Sequence, residues 1–307
     1  MWLILAFFSA ALLGFYDVFK KQSLKANAVI PVLFLNTLFA TCIFLPLILV
    51  STYRPDALRE SLFYVSPADW HVHKYILLKA LIVLSSWALG YAGIKHLPLT
   101  IVGPINATRP VLVLVGAMLV FGERLNLYQW IGVVLAVVSF FLLKRSGKKE
   151  GIDFQHNRWI LCIVMAAILG AVSGLYDKYL LAPASDGGLG LDKMVVQSWF
   201  NIYQMLMMAC VLAVAWWPHR HESGQAFAWS WCIPLIAVFL AAADFLYYYA
   251  LSQEGALIAI VSMVRRGSVV VSFLFGALIF HEKNLKSKAI DLALVLLGMF
   301  FLYLGSR

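Results

Sequence analysis

Apolar runs of about 20 residues, separated by short polar connectors, follow one another along the whole chain. A helix needs about 20 apolar residues to cross the hydrocarbon core of a bilayer, so each run is suited to one crossing. Hydrophobic residues make up 63% of the 307 residues and charged residues only 13%, which argues against a soluble domain. The pattern predicts an all-α integral membrane protein with ten transmembrane helices, near residues 2–22, 29–51, 75–94, 98–121, 126–143, 159–181, 194–217, 231–252, 256–280 and 288–304.

Polar motifs of the first half return in the second half in the same order, which indicates an internal repeat. The corresponding positions are Asp17 and Asp177 in the two copies of a Gly-x-Tyr-Asp motif, Asn36 and Asn201, and Glu123 and Glu282. The polar connector 144–158 divides the chain into predicted units 1–150 and 151–307. Because five helices per unit is an odd number, the second unit is inverted in the membrane. Two inverted five-helix repeats around a central cavity are an architecture of secondary transporters.

One family resemblance rests on the end of the first half. The segment "FGERLNLYQWIGVVLAVVSFFLL", residues 121–143, resembles the closing part of the EamA domain, with its Glu, short amphipathic link and Gly in the last helix. The preceding "ALGYAGIKHLPLTIVGPINATRPVLVLVGAMLV" resembles the third and fourth helices of that domain, including Pro110. The second half keeps Glu282 and Gly298 but has no proline in its fourth helix. Over nearly its whole length, the chain resembles EamA-domain members of the drug/metabolite transporter superfamily.

The resemblance implies a fold and a general activity. It implies ten helices around a central cavity, and a superfamily that includes exporters of amino acids and drugs and carriers of nucleotide sugars and phosphorylated sugars. A multi-pass protein of the bacterial inner membrane is expected. We expect no enzyme, since the sequence has no H-E-x-x-H motif and no Ser-His-Asp set, and its few histidines lie mostly in connectors.

Acidic residues inside the apolar runs mark candidate binding positions, because a charge near the bilayer centre costs about 2.5 to 3.5 kcal/mol on insertion scales. The two motif copies contribute Tyr16 with Asp17, and Tyr176 with Asp177. These pairs are suited to binding protons or substrate amines, and both aspartates are candidates for proton coupling. For Asp17 the alternative is a local ion pair with Lys20 or with the lysine that follows it.

Arginines inside the runs favour an anionic group on the substrate, because guanidinium binds carboxylate and phosphate through paired hydrogen bonds and keeps its charge. Asn106 and Arg109 share one face of the fourth predicted helix, between two prolines that free backbone carbonyls. Arg265 and Arg266 occupy the ninth predicted helix. The alternative for any of the three arginines is an ion pair with an aspartate such as Asp244.

Aromatic faces add to the candidate site. Asp244, Tyr247 and Tyr248 lie on one face of the eighth predicted helix, and Trp87 and Tyr91 are four residues apart in the third. Such rings can stack on a planar group or attract a cation. The alternative is ordinary packing between helices, which we expect for most of the other aromatic residues.

These observations predict a secondary transporter that moves a small polar metabolite with a carboxylate or phosphate group by alternating access, with proton coupling and exchange both open. The alternatives are a drug or amine exporter, and a flippase for a lipid-linked carrier, which needs a lateral gap between helices and an arginine cluster. The predicted partners are a small-molecule substrate and the bilayer, and both a monomer and a homodimer are open.

Cofactors, metals and nucleic acid are not expected. The four cysteines have no C-x-x-C spacing, and the net charge of +9 is spread over the loops, where anionic lipid headgroups account for it. The loop charges favour termini outside the cytoplasm, whereas the family resemblance implies cytoplasmic termini.

Overall fold

The computed structural model describes residues 2–121, 126–148, 156–181, 188–222, 226–251, 264–282 and 285–305. Within these ranges every regular element is helical, which confirms the predicted all-α fold. The α-helices are α1 (Trp2–Leu24), α2 (Val29–Tyr53), α3 (Trp70–His96), α4 (Leu99–Ala107), α5 (Arg109–Phe121), α6 (Leu127–Lys148), α7 (Arg158–Leu181), α8 (Lys193–Val211), α9 (Cys232–Leu251), α10 (Ser268–Leu278) and α11 (Leu285–Gly305). A short 3-10 helix, Pro55–Ala57, follows α2, and a π-helical turn, Leu212–Trp216, extends α8.

Length and apolar composition identify helices that can cross a membrane. In the part of the chain that the structure describes, five segments meet both criteria: Val29–Tyr53, Trp70–His96, Arg158–Leu181, Lys193–Trp216 and Leu285–Gly305. Many large apolar side chains are exposed on the outer surface, among them Phe7, Leu81 and Leu278. A surface of this kind fits a hydrocarbon environment. The chain is therefore an α-helical membrane protein, and the number of ten crossings stays a prediction.

The fourth predicted span is two helices rather than one. The helix α4 ends at Ala107, Thr108 forms the junction, and α5 starts at Arg109. Pro110 explains the break, because it has no N–H for the carbonyl four residues earlier and its ring clashes with the preceding turn. The second half breaks at Gly267 without a proline. A Cβ at Gly267 would lie 2.8 Å from the carbonyl oxygen of Val264, so this tight turn requires glycine.

Helices of the first half pack against helices of the second half in a pattern that is unchanged when the halves are exchanged. The contact of α1 with α9 corresponds to that of α3 with α7, and the contact of α1 with α10 corresponds to that of α5 with α7. The contact of α2 with α9 likewise corresponds to that of α3 with α8. The pairs α2 with α8 and α6 with α11 correspond to themselves.

The glycine of the first Gly-x-Tyr-Asp motif sets how closely two helices approach. A Cβ at Gly14 would lie 2.4 Å from the Cβ of Val271, so α1 and α10 touch at this point. Small residues allow such close contact between helices in membranes. The approach brings Tyr16 and Asp17, in the next turn of α1, beside α10.

Candidate functional site

A cavity of about 290 Å³ lies where α1, α3 and α9 meet the breaks that precede α5 and α10. We call it the arginine cavity. Ten of the thirteen predicted binding residues line it: Tyr16, Asp17, Trp87, Tyr91, Asn106, Arg109, Asp244, Tyr247, Arg265 and Arg266. Lys20 and Ser86 line it as well and were not predicted as binding residues. The sequence had suggested Lys20 only as an ion-pair partner.

Asp17 is neutralised by the lysine one turn further along α1. Its Oδ1 lies 2.7 Å from Nζ of Lys20, and its Oδ2 accepts a hydrogen bond from Oγ of Ser272 at 3.2 Å. The same Nζ lies 4.1 Å from the ring centroid of Tyr16 and 5.2 Å from that of Tyr91. Both rings therefore already face a cation of the protein.

Asp244 forms the second ion pair of the cavity, with Arg265. The guanidinium of Arg265 also lies 4.3 Å from the ring centroid of Tyr247, which is one turn after Asp244 on α9. This arrangement repeats that of α1, because in both places a carboxylate pairs with a cation that also lies over an aromatic ring. The alternative interpretation of these aspartates as ion-pair partners holds for Asp17 and Asp244.

Arg109 and Arg266 differ from Arg265 because neither makes an ion pair with a residue that the structure describes. Nε of Arg109 is buried and has no hydrogen-bond partner there, and the same is true of Oδ1 of Asn106. The guanidinium of Arg109 packs against Gly170 of α7, where a Cβ would lie 2.9 Å from Cζ. Arg266 is close enough to Arg109 and Arg265 to be repelled by both.

The charges of the arginine cavity do not balance. Among the residues that the structure describes, the lining contains four basic side chains, Lys20, Arg109, Arg265 and Arg266, and two acidic ones, Asp17 and Asp244. With all of them ionised, four positive minus two negative charges leaves a surplus of two. Walls of low dielectric strengthen the resulting field, so the cavity attracts anions.

The second copy of the motif does not line the arginine cavity. Asp177 forms an ion pair with Lys79 of α3, and the hydroxyl of Tyr176 donates to the carbonyl of Tyr75 at 3.3 Å. Asp177 has leucines at the positions three and four residues further along α7, so its partner comes from another helix. The structure therefore places Tyr176 and Asp177 outside the arginine cavity, and a binding role for them stays a prediction.

Two other residues singled out in the sequence are described by the structure only in part or not at all. The backbone of Tyr248 belongs to α9, but its side chain lies outside the described residues, as does Glu123 as a whole. No group of three or more His, Cys, Asp and Glu side chains suited to a metal is found in the described ranges.

A bundle of apolar helices that encloses a charged cavity at two helix breaks has the architecture of a membrane transporter. Comparison with known families agrees with this class. The chain belongs to the EamA-like transporter family, whose model matches residues 1–145 and 157–304.

Individual relatives add the following. An "Uncharacterized transporter" of Archaeoglobus fulgidus is 28% identical over 137 residues. The match covers 44% of this chain and 45% of that relative, so it spans less than half of the relative's length. A solved crystal structure, described only as that of a protein, superposes with a TM-score of 0.63 at 15% identity, over 99% of this chain and 97% of the other. That similarity shows the fold.

Proposed function

We propose that this protein is a secondary transporter that moves a small metabolite with a carboxylate or phosphate group by alternating access. The observation that carries the proposal is the presence of Arg109 and Arg266, without an ion-pair partner among the described residues, in a cavity whose described lining has two surplus positive charges. A guanidinium inside a membrane protein is costly unless an anion compensates it. A carboxylate or phosphate matches the paired N–H groups of arginine.

The proposed architecture is that of two inverted five-helix repeats, 1–150 and 151–307, with ten crossings in a multi-pass protein of the bacterial inner membrane. The family model matches one segment in each unit, and the helix contacts are unchanged when the units are exchanged. The arginine cavity lies at the interface of the units, beside helix breaks. Substrate sites of inverted-repeat transporters lie near the midplane and are formed by discontinuous helices.

An amine or cationic drug is less well supported as the substrate. Asp17 and Asp244 are already neutralised by Lys20 and Arg265, whose charges also face the nearby aromatic rings. An amine would have to displace the side chain of Lys20 or Arg265 from its aspartate. Asp17 remains our candidate for proton coupling, because it lines the arginine cavity while the ion pair of Asp177 does not.

Thermal unfolding of the purified protein in detergent tests the substrate class. The ligands are short carboxylates, inorganic phosphate, phosphorylated metabolites and primary amines. A ligand at 100 times its dissociation constant stabilises the protein by about 2.7 kcal/mol. We expect anions to stabilise the wild type, and stabilising anions to be taken up by proteoliposomes.

The matched variants are Arg109→Gln and Arg266→Gln, with Arg54→Gln as the control, since Arg54 is exposed just after α2. Neutralising an unpaired buried charge is not expected to unfold the protein. Both cavity variants should lose the stabilisation by anions, and the control should keep it. Stabilisation by amines alone, unchanged in the cavity variants, would instead support an amine exporter.

A further inference from the structure

A second cavity, of about 610 Å³, lies beside the arginine cavity. It is enclosed by α2, the beginning of α8, α9 and the connector 59–64. We call it the lateral cavity. Its walls are mostly apolar and include Phe44, Leu47, Met194, Ala241, Ala242 and Phe245. Its polar lining includes Arg59 of the connector and Lys193 at the beginning of α8.

The two cavities meet at Asp244, which lines both. Adjacent faces of α9 explain this, because successive residues of a helix are about 100° apart. Leu240, Asp244 and Tyr247 face the arginine cavity, whereas Ala241 and Phe245 face the lateral cavity. A cationic chamber and an apolar one therefore lie next to each other at Asp244.

The lateral cavity is open on the outer surface of the helices. Among its lining side chains, Ile43 is 37% exposed, Val238 50% and Phe245 38%. They belong to α2 and α9, whose exposed apolar side chains face lipid in a membrane protein. The mouth between α2 and α9 therefore opens toward the hydrocarbon of the bilayer.

We propose that the transported substrate is an anionic amphiphile, with its carboxylate or phosphate in the arginine cavity and its hydrocarbon chain in the lateral cavity. This inference rests on the proposed function and specifies the substrate class. The adjacency of the two cavities at Asp244 matches a molecule with one charged end and one apolar end. The lateral mouth lets the chain remain in hydrocarbon while the charged group reaches Arg109 and Arg266.

A competing occupant is an ordinary phospholipid that leaves its headgroup at the membrane surface. Arg59 and Lys193, which line the lateral cavity, would then bind the phosphate. The two occupants place the anionic group beside different basic residues. They are therefore distinguished by which basic residues the occupancy requires.

The experiment uses dodecyl phosphate that carries a photoactivatable diazirine at the end of its chain. The full-length protein is reconstituted in nanodiscs of phosphatidylcholine, irradiated and digested, and the labelled residues are located by mass spectrometry. We expect labels on lateral-cavity residues such as Phe44, Met194 and Ala242. Dodecanol with the same diazirine is the matched control and should label these residues about ten-fold less, since it lacks the charged hydrogen-bonding group.

Variants locate the anionic group. Arg266→Gln should lower labelling by dodecyl phosphate about ten-fold, and Arg59→Gln and Lys193→Gln should leave it unchanged. A label that survives in Arg266→Gln, or that is lost in Arg59→Gln or Lys193→Gln, would show a phospholipid-like occupant and overturn the proposal.

A space-filling variant separates this proposal from the proposed function. Ala242→Phe narrows the lateral cavity without changing the charges, so it should abolish labelling by dodecyl phosphate while inorganic phosphate still stabilises the protein against heat. Stabilisation by inorganic phosphate without specific labelling in the wild type would leave the anion transporter intact and remove the amphiphile. Failure of phosphate, carboxylates and phosphorylated metabolites to stabilise the protein would contradict the proposed function itself.

Discussion

At the scale of single residues, one motif has two environments. Asp17 lies in the arginine cavity with Lys20 and Ser272, whereas Asp177 joins α7 to α3 through Lys79. Each aspartate neutralises a lysine that is mostly withdrawn from solvent. The two carboxylates therefore contribute differently, the first to the field in the cavity and the second to the contact between the two halves of the protein.

The variants Asp17→Asn and Asp177→Asn should separate these contributions. Asp17→Asn adds one positive charge to the surplus of the cavity, so it should tighten the binding of methanesulfonate several-fold and remove any pH dependence of that binding. Asp177→Asn should lower the free energy of unfolding by at most about 3 kcal/mol, because its side chain is 36% exposed and the pair is only partly buried.

Titration calorimetry and thermal unfolding provide the two measurements. Methanesulfonate is suitable because its own charge stays constant over the working pH range. Weaker binding of the anion in Asp17→Asn, or an equal effect of both variants on binding, would contradict the assigned difference.

Most of the arginine cavity could be predicted from the sequence because charged residues in apolar runs are costly unless they converge on a partner or a cavity. That argument applied to Asp17, Arg109, Asp244 and Arg266. It failed for Asp177 because its partner, Lys79, is 98 positions away, a separation that no helical periodicity connects. Ser86 gave no signal, since a serine in an apolar helix is common.

At the scale of secondary-structure elements, helix ends are held by residues of the other half. The carboxylate of Glu282 accepts hydrogen bonds from the backbone N–H groups of Leu99 at 2.6 Å and Thr100 at 2.9 Å. It thereby caps the N-terminus of α4, where the helix dipole favours a negative charge. Lys288 is buried nearby and donates to the hydroxyl of Thr100 at 2.8 Å. The sequence identified Glu282 as a repeated motif position but gave no means of finding α4 as its partner.

The break between α4 and α5 should be required for anion binding. Pro110→Ala restores an N–H group and removes the clash with the preceding turn, so it lets α4 continue into α5 and turns Arg109 away from the cavity. We expect anion affinity to fall about ten-fold, with no loss of thermal stability. Pro46→Ala is the matched control, because Pro46 lies inside α2 and does not line the arginine cavity.

Calorimetry on both proline variants measures this effect. Unchanged affinity in Pro110→Ala would show that the proline does not position Arg109. The prolines of the fourth span made this break predictable. The break at Gly267 was not predictable, because a single glycine in an apolar run is compatible with many structures.

At the scale of the whole molecule, the contacts between helices have two-fold symmetry but the cavities do not. The lateral cavity opens between α2 and α9. On the symmetry-related helices α3 and α8, Leu84 and Met208 are buried in the apolar core, 7% and 2% exposed. The internal repeat could be predicted from the order of the motifs. Which of the two equivalent gaps is open could not be predicted, because both arrangements use the same sequence and differ only in packing.

Alternating access by two inverted repeats predicts that the two gaps exchange when substrate is carried across. Spin labels on Leu45 of α2 and Val238 of α9 report on the open gap, and labels on Leu81 of α3 and Cys210 of α8 report on the closed one, all four being exposed positions. The other native cysteines are replaced by serine. We expect the first distance to shorten and the second to lengthen when a stabilising anion is added, because a ligand shifts the equilibrium toward the state that it binds better.

Pulsed electron–electron double resonance in nanodiscs measures both distances. Arg266→Gln provides the control, in which the anion should change neither distance. Changes of the same sign would indicate that the protein expands or contracts as a whole rather than exchanging its gaps. Opposite changes that also occur in Arg266→Gln would show that the anion acts elsewhere than in the arginine cavity. Opposite changes confined to proteins with an intact arginine cavity would connect anion binding to the exchange of the gaps, which is the physical requirement for carrying a solute from one side of the membrane to the other.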